Sequence, residues 1–447
     1  LWKLADTVCA HFGFTKRPII ISNACISGVS AVITASRLIR SGEYRNVIVV
    51  GGDALSEFVV TGFDLFKSLS SNPCRPYDSA RDGLNLGEAC AALLVTCNKD
   101  LSCGVTVEGG AVTNDANHIS GPSRTGDGLC YAMEQAMRQS GVTPQEISFV
   151  NAHGTATLYN DEMESKAVLL AGLAEVPINS LKSYFGHTLG TAGVVEIIVC
   201  AEQLKQGVLL GTKGFEHLGV PAEIQVSGEH KEMKMKRCVK TASGFSGCNA
   251  AIVLSLEEHA RTVETQPEWT ITQLSDCEIE NGIIKINGCE VFHSEGEFGE
   301  FIRAAFRSFN YSNMKFYKMD DLCKLGYIGA EYLLHQRHFH PSEVALLLSN
   351  RSASLDTDRK HQQAIGKNAS PAVFVYTLPN IVLGEICIRH KIQGENTFFI
   401  TEEPDYDFLR HYAEIVMRNG GYKALIYGWC ELLGEKYKLK MNLIVQK

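Results

Sequence analysis

Cys25 stands in the stretch ISNACISG, between an apolar run and a helical pattern. Its thiol is a candidate nucleophile. A helix N-terminus offers free N–H groups and a partial positive charge, both of which stabilise a thiolate. The small residues Ser27, Gly28 and Ser30 leave room for a substrate carbonyl, and the turn's own N–H can bind an oxyanion. A buried structural cysteine would leave the same local sequence. Three later segments hold further candidates. In VNAHGTATLYNDEMES, His153 follows an apolar strand, and Asn160-Asp161 can start a helix that carries Glu164. A histidine there suits acid, base or neutral-donor chemistry, or plain structural hydrogen bonding. In NSLKSYFGHTLGTAGVVEII, Lys182 and His187 flank Gly186, Gly190 and Gly193 permit close backbone approach, and Glu196 lies on the next helix. Lys182 is either a solvated charge or a buried one paired with Glu196, which would fix the field at a site. In TASGFSGCNAAIVL, Phe245 is a mobile gate or ordinary core, and Cys248 is a second thiol or a small filler.

These side chains need a scaffold, and the pattern supplies one. Residues 1–256 alternate strand and helix signals, which argues for an α/β fold with buried sheets. Strands are predicted at 19–22, 46–50, 90–96, 104–110, 147–151, 177–180, 239–243 and 250–255, and helices at 27–41, 126–140, 160–172 and 191–206. Cys25 thus falls where a strand turns into a helix. Residues 257–268 are polar, carry Pro267 and read as a linker. Beyond them 282–292 is strand-like, 322–334 helical and 343–350 a strand. PAVFVYTLPNIVLGEICIRHKI is helical in its middle. The stretch from Asn396 to Leu432 then echoes the opening one: strand, polar turn, helix, glycine turn, strand. Aligning Tyr44 with Tyr422 sets Cys25 opposite Glu402 or Glu403, a weak internal repeat.

A chain of 447 residues, 45% hydrophobic, can bury a large core or two to four domains. The formal charge of -8 disfavours nucleic acid, since nothing concentrates Lys and Arg enough for phosphate binding. An acidic carrier protein can still meet a local basic patch. The 15 cysteines show no C-x-x-C pair and many, such as Cys90, Cys200 and Cys387, lie in apolar runs, which suits reduced thiols in a cytoplasmic protein. No apolar run is long enough for a membrane span, and no signal-peptide pattern is present. The chain opens with Leu1 inside a helical pattern at 2–12, so a truncated N-terminus is expected.

In this order the motifs resemble those of the β-ketoacyl-acyl-carrier-protein synthases, from about Leu1 to Leu256. The matching segments are NACISG around Cys25, RPYDSARDGLNLGEACAALLV (75–95), TNDANHISGP (113–122), NAHGTAT around His153, LKSYFGHTLGTAG around Lys182 and His187, and GFSGCN (244–249). Two positions depart from the family pattern. Ala89-Cys90 replaces a small pair and is expected to tighten packing. Ser246 replaces a usual glycine and is expected to slow the gating loop.

The resemblance implies a thiolase-like layered α/β/α/β/α fold whose N-terminal elements are missing here. It implies that Cys25 takes an acyl group from a carrier-protein phosphopantetheine thioester. The N–H groups of Cys25 and Phe245 would form the oxyanion hole, with Phe245 as the gate. His153 and His187 would hold a malonyl thioester oxygen during decarboxylation, and Lys182, paired with Glu196, would position them. Asp161 and Glu164 would anchor the site from behind. No metal or redox cofactor is implied. The implied partners are an acyl carrier protein, with Lys67 and Arg124 as docking candidates on the ground of charge, and a homodimer or a heterodimer with a synthase-like subunit. The usual dimer contact would pair the strand Pro18 to Ser22 with its mate across a two-fold. Residues 269–447 resemble the N-terminal half of the same fold without its cysteine, and read as a degenerate, noncatalytic half. Two other readings stand beside this one. A thiolase or CoA-using initiating synthase typically uses Cys-His-Cys or Cys-His-Asn, against which the second histidine and its lysine argue. A noncatalytic or chain-length-factor-like subunit is opposed by the intact Cys25, His153 and His187.

Overall fold

In the computed structural model, which describes residues 1–256 and 269–447, the predicted strands and helices of the first 256 residues all form, with ends shifted by a few residues. The expected linker at 257–268 lies outside the described residues. The chain forms two compact units. One begins at Asn23 and contains every residue of the candidate site; the other joins Leu1–Ser22 to the tail.

The site unit is built on a six-stranded mixed sheet. Its order is Thr106–Asn114, Cys248–Ser255, Arg237–Gly244, Phe149–Asn151, Pro177–Asn179 and Gln225–Val226. The first two pairings are antiparallel and the other three parallel. Successive side chains on a strand point to opposite faces, and both faces are covered. Val150, Val239, Ala251 and Val253 pack against the helices Asp127–Ser140 and Leu158–Leu170. Phe149, Cys238, Ala242, Ala250 and Ile252 pack against Ser27–Arg40 and Ala192–Gln206. These last two helices touch through glycines. A Cβ on Gly193 would sit 2.5 Å from the Val29 nitrogen, and one on Gly28 would sit 2.8 Å from the Gly190 carbonyl oxygen. The strands Asn46–Asp53 and Ala89–Thr96 form a separate antiparallel pair. Cys90 lies there exposed rather than filling core, because it falls on the outward positions of the pleat.

The other unit carries an eight-stranded sheet in the order Ile20–Ile21, Asn396–Ile400, Val344–Asn350, Ala424–Leu433, Lys436–Gln446, Ile271–Glu280, Ile283–Ile286 and Cys289–His293. The division by sequence kept 1–22 with the first domain. The structure joins them to the tail, since Ile20 pairs with Ile400 and Ile21 with Phe399, antiparallel, and Ser22 N–H donates to the Phe398 carbonyl at 2.9 Å. The strand expected to meet its mate across a two-fold therefore has a partner strand in its own chain. Residues 282–292 are a hairpin rather than one strand: Asn287-Gly288 both have positive φ, 49° and 77°, the backbone a tight hairpin turn demands. The helical stretch after Pro371 is two helices, Pro371–Val375 and Ile381–His390, with Pro379 between them.

Candidate active site

Cys25 lies in a 3-10 turn, Ala24–Ile26, that runs straight into the helix Ser27–Arg40. Ser27 ties the turn down. Its hydroxyl accepts from Asn23 N–H at 2.8 Å and donates to the Ala24 carbonyl at 2.7 Å. Ala24 has φ 47°, a left-handed conformation that is uncommon for alanine and costs about 1–2 kcal/mol. The chain kinks at that residue and sets the next one, Cys25, at the mouth of the helix. The end of the strand Arg237–Gly244 runs beside it. A Cβ on Gly244 would come within 3.2 Å of the Cys25 nitrogen, so a glycine keeps the approach to that N–H open.

His187 Nε2 is 3.1 Å from Cys25 Sγ, and the rings of His153 and His187 stand perpendicular with centroids 5.2 Å apart. Each ring is placed through its backbone. The loop 84–88 cradles His187, whose N–H donates to the Asn85 carbonyl at 2.7 Å and whose carbonyl accepts from Gly87 N–H at 3.1 Å. Gly186 and Gly87 are needed because that loop passes so close: a Cβ on Gly186 would lie 2.8 Å from the Gly87 nitrogen. His153 is held by Glu164. The Glu164 carboxylate accepts from the N–H groups of His153 and Gly154 at 2.6 and 2.7 Å, from the Tyr77 hydroxyl at 2.5 Å and from the Thr241 hydroxyl at 2.8 Å. Asp161 accepts from Tyr77 N–H and Thr155 N–H at 2.8 and 3.0 Å, with the Arg81 guanidinium 3.9 Å away. Both acidic side chains are thus tied to the His153 turn.

Lys182 is buried and pairs with Glu196, Nζ to Oε1 2.8 Å. The other oxygen, Oε2, is taken by a second buried lysine, Lys240, at 2.7 Å. Lys240 went unremarked in the sequence, although a lysine within the apolar run CVKTA was the signal.

Electrostatics set the resting protonation. Burial pushes the Cys25 thiol up to about 12; the Lys182 ammonium pulls it down and Asp53 pushes it further up. The expected thiolate is therefore a thiol at neutral pH, because desolvation outweighs the helix end. Burial, reinforced by Lys182, holds both imidazoles well below the usual histidine range. Burial pushes Asp161 up to about 7. At neutral pH the arrangement is an S–H facing a neutral imidazole, which can accept its proton as the sulfur attacks.

Phe245 stacks on Phe63, centroids 6.0 Å apart, and lies 5.6 Å from Phe66. Phe63 in turn meets the His187 ring edge-on at 6.4 Å. Phe63 belongs to the helix Glu57–Leu65, which the sequence reading did not foresee. Ser246 is buried with φ 84°; its N–H donates to the Ile119 carbonyl at 2.6 Å and its carbonyl accepts from Asn114 at 3.0 Å. Cys248 is buried core, its thiol 3.2 Å from the Phe245 carbonyl. Asp53, also missed, accepts twice from Thr191 at 2.8 Å. Lys67 is exposed next to Phe66, while Arg124 is exposed on a separate loop where its carbonyl accepts from Lys166. In the other unit Glu402 faces Arg351 at 3.9 Å and Glu403 is exposed.

Comparison with known proteins finds similarity to β-ketoacyl synthases. Residues 4–100 match the model of the β-ketoacyl synthase N-terminal domain, and residues 105–216 match that of the C-terminal domain. A putative mitochondrial 3-oxoacyl-[acyl-carrier-protein] synthase of Schizosaccharomyces pombe is 31% identical over 271 residues, 56% of this chain and 63% of that protein. The chain spans about three fifths of the length of the curated relatives it matches. A ketosynthase solved in complex with its chain length factor, from Xenorhabdus doucetiae, is 30% identical with a TM-score of 0.53, covering 57% of this chain and 63% of that one. A structure described as PfaC keto synthase-chain length factor covers 96% of this chain and 58% of its own, with a TM-score of 0.75 and 14% identity, a likeness of fold. The fold is that of the thiolase-like ketosynthases.

Proposed function

We propose that this chain, which matches the β-ketoacyl synthase family over residues 4–100 and 105–216, carries out a decarboxylative Claisen condensation between an acyl thioester and malonyl-carrier protein. The observation that carries the reading is the thiol of Cys25 at 3.1 Å from His187 Nε2, with His153 as the second imidazole. Cys25 Sγ attacks the acyl thioester carbonyl while its proton passes to His187. The N–H groups of Cys25 and Phe245 receive the oxyanion. The carrier's phosphopantetheine sulfur leaves with that proton, and the acyl group stays on Cys25. Malonyl thioester then loses carbon dioxide, and the electron pair moves onto its thioester oxygen. The His153 N–H, and that of His187 once its ring carries its one proton on Nε2, hold this enolate, charge that develops only in the reaction. Its carbon attacks acyl-Cys25, the sulfur leaves, and a proton from water restores the thiol. The product is a β-ketoacyl thioester two carbons longer. Lys182 with Glu196 positions the histidines. Fatty-acid and polyketide synthesis are both compatible settings, in a reducing compartment such as the cytoplasm. The substrates ride on the arm of an acyl carrier protein, and no resident metal or redox group is assigned.

The tail is read as a degenerate, noncatalytic partner half. The pairing of Ile20 with Ile400 supports this, since it gives the strand before Cys25 a mate that leads to Glu402 and Glu403 instead of a thiol. Intact-mass spectrometry after incubation with a panel of acyl-carrier thioesters tests the proposal. One acyl adduct, absent from Cys25→Ala, is expected. Chain extension that survives Cys25→Ala would overturn it, and no adduct from any donor would favour the noncatalytic-subunit reading.

A further inference from the structure

The strand Arg237–Gly244 is buried on both faces, and its residues alternate between them. Cys238 and Ala242 face the helices Ser27–Arg40 and Ala192–Gln206, while Val239 faces the other pair. Lys240 falls between Cys238 and Ala242, on the face where the pattern calls for a small apolar side chain. It is wholly buried, with Nζ 2.7 Å from Glu196 Oε2 and 2.6 Å from the Thr241 carbonyl. Glu196 is therefore shared: Lys182 holds one oxygen and Lys240 the other. A buried lysine is costly unless it is paired, and one carboxylate cannot neutralise two ammonium groups. The neighbouring Thr241 points the opposite way and donates to Glu164, so one strand braces the carboxylates behind both the lysine pair and His153.

We infer that Lys240 is a positioning residue of the site: it fixes the Glu196 carboxylate, and with it the Lys182 ammonium, and adds a second positive charge behind the histidine pair. This rests on the condensing role proposed above. The ionisable groups around that pair are Cys25 from the nucleophile turn, Asp161 and Glu164 from Leu158–Leu170, Tyr77 from its loop, Lys182, Glu196, and Lys240 from the strand. Both lysines act on both imidazoles in the same sense, Lys182 more strongly, and favour the neutral rings. A neutral His187 ring can take the Cys25 proton on Nε2, and a neutral ring in the tautomer with its proton on Nε2 can donate to an enolate. A second cation extends that state to lower pH and also raises the positive potential at the enolate oxygen.

Two measurements on the full chain test this without any turnover. In protein labelled with 15N-lysine, two slowly exchanging ammonium signals should move together in Glu196→Gln, and one of them should vanish in Lys240→Met. In protein labelled with 13C-histidine, Lys240→Met should raise the titration midpoints of His153 and His187 by about one to two pH units, the effect of one charge roughly 6 to 12 Å away at an effective dielectric of about 20. Lys240→Arg should restore most of the shift. A wild-type spectrum with only one ammonium signal that responds to Glu196→Gln would overturn the assignment even if Lys240→Met did not fold. Unchanged histidine midpoints in a folded Lys240→Met protein would reduce Lys240 to packing. Either result would leave Cys25 acylation untouched as a separate question.

Discussion

The chain runs strand, turn, helix and strand in two places, and the two stretches differ in what fills the turn. In the first, the strand Ile20–Ile21 leads through five residues to the helix Ser27–Arg40 and the strand Asn46–Asp53. In the second, Asn396–Ile400 leads through five residues to Tyr406–Gly420 and Ala424–Leu433. The first turn is strained at Ala24, closes on Ser27 and presents a thiol. In the second, Pro404 precedes a conventional N-cap, in which Asp405 accepts from Phe408 N–H at 3.0 Å. The helices behind the turns differ in the same sense. The first uses Gly28 to lie against the helix that follows His187. The second packs by aromatic bulk, with Phe399, Phe408 and Tyr412 within 5.4 to 6.0 Å of one another. A shared order of elements does not make a site. The thiol needs the close helix that brings His187 and Lys182 to it.

The sharpest way to break this comparison is to move the sulfur. A Cys25→Ala/Glu403→Cys double variant should show no acyl adduct by intact mass, because nothing in the second copy stands in for His153 or His187. Acylation at position 403 would show that the turn suffices. The next effect is on the thiol itself. With its pKa near 12, the rate of Cys25 alkylation by iodoacetamide should rise roughly tenfold per pH unit from pH 7 to 10. A plateau near pH 8.5, seen by mass spectrometry of the timed reaction, would mean an ordinary solvated thiol.

Smaller effects probe the two packing modes. Gly193→Ala puts a Cβ 2.5 Å from the Val29 nitrogen and should cost about 1–3 kcal/mol in urea unfolding. It should also slow Cys25 acylation. Asp405→Ala removes only a cap, about 1 kcal/mol. It should speed hydrogen exchange in the first turn of Tyr406–Gly420 and leave acylation of Cys25 unchanged. An acylation rate that fell with Asp405→Ala would contradict the separation of roles.

Most of the scaffold was legible because its strands and helices have strong hydrophobic periods and are punctuated by glycine. The catalytic candidates were legible because they come as motifs in order. What escaped depends on contacts between distant segments. Lys240 gains meaning only when Glu196 is seen to have a second oxygen to satisfy. Asp53 matters through Thr191, 138 residues away. The protonation of the Cys25 thiol is not legible in the sequence, because a helix end is visible there and burial is not. The hairpin at 287–288 is legible in its Asn-Gly pair. Residues 1–22 were assigned by their place in the chain, whereas a strand edge more than 370 residues away claims them.

That edge has a consequence for assembly. When the mate of a strand belongs to another polypeptide, pairing follows mass action and weakens on dilution. Here Ile20–Ile21 and Asn396–Ile400 are in one polypeptide, so their pairing is unimolecular and independent of protein concentration. Each Cys25 turn is made with a single counterpart turn, one that holds no cysteine, already attached, in a ratio that translation fixes at one to one.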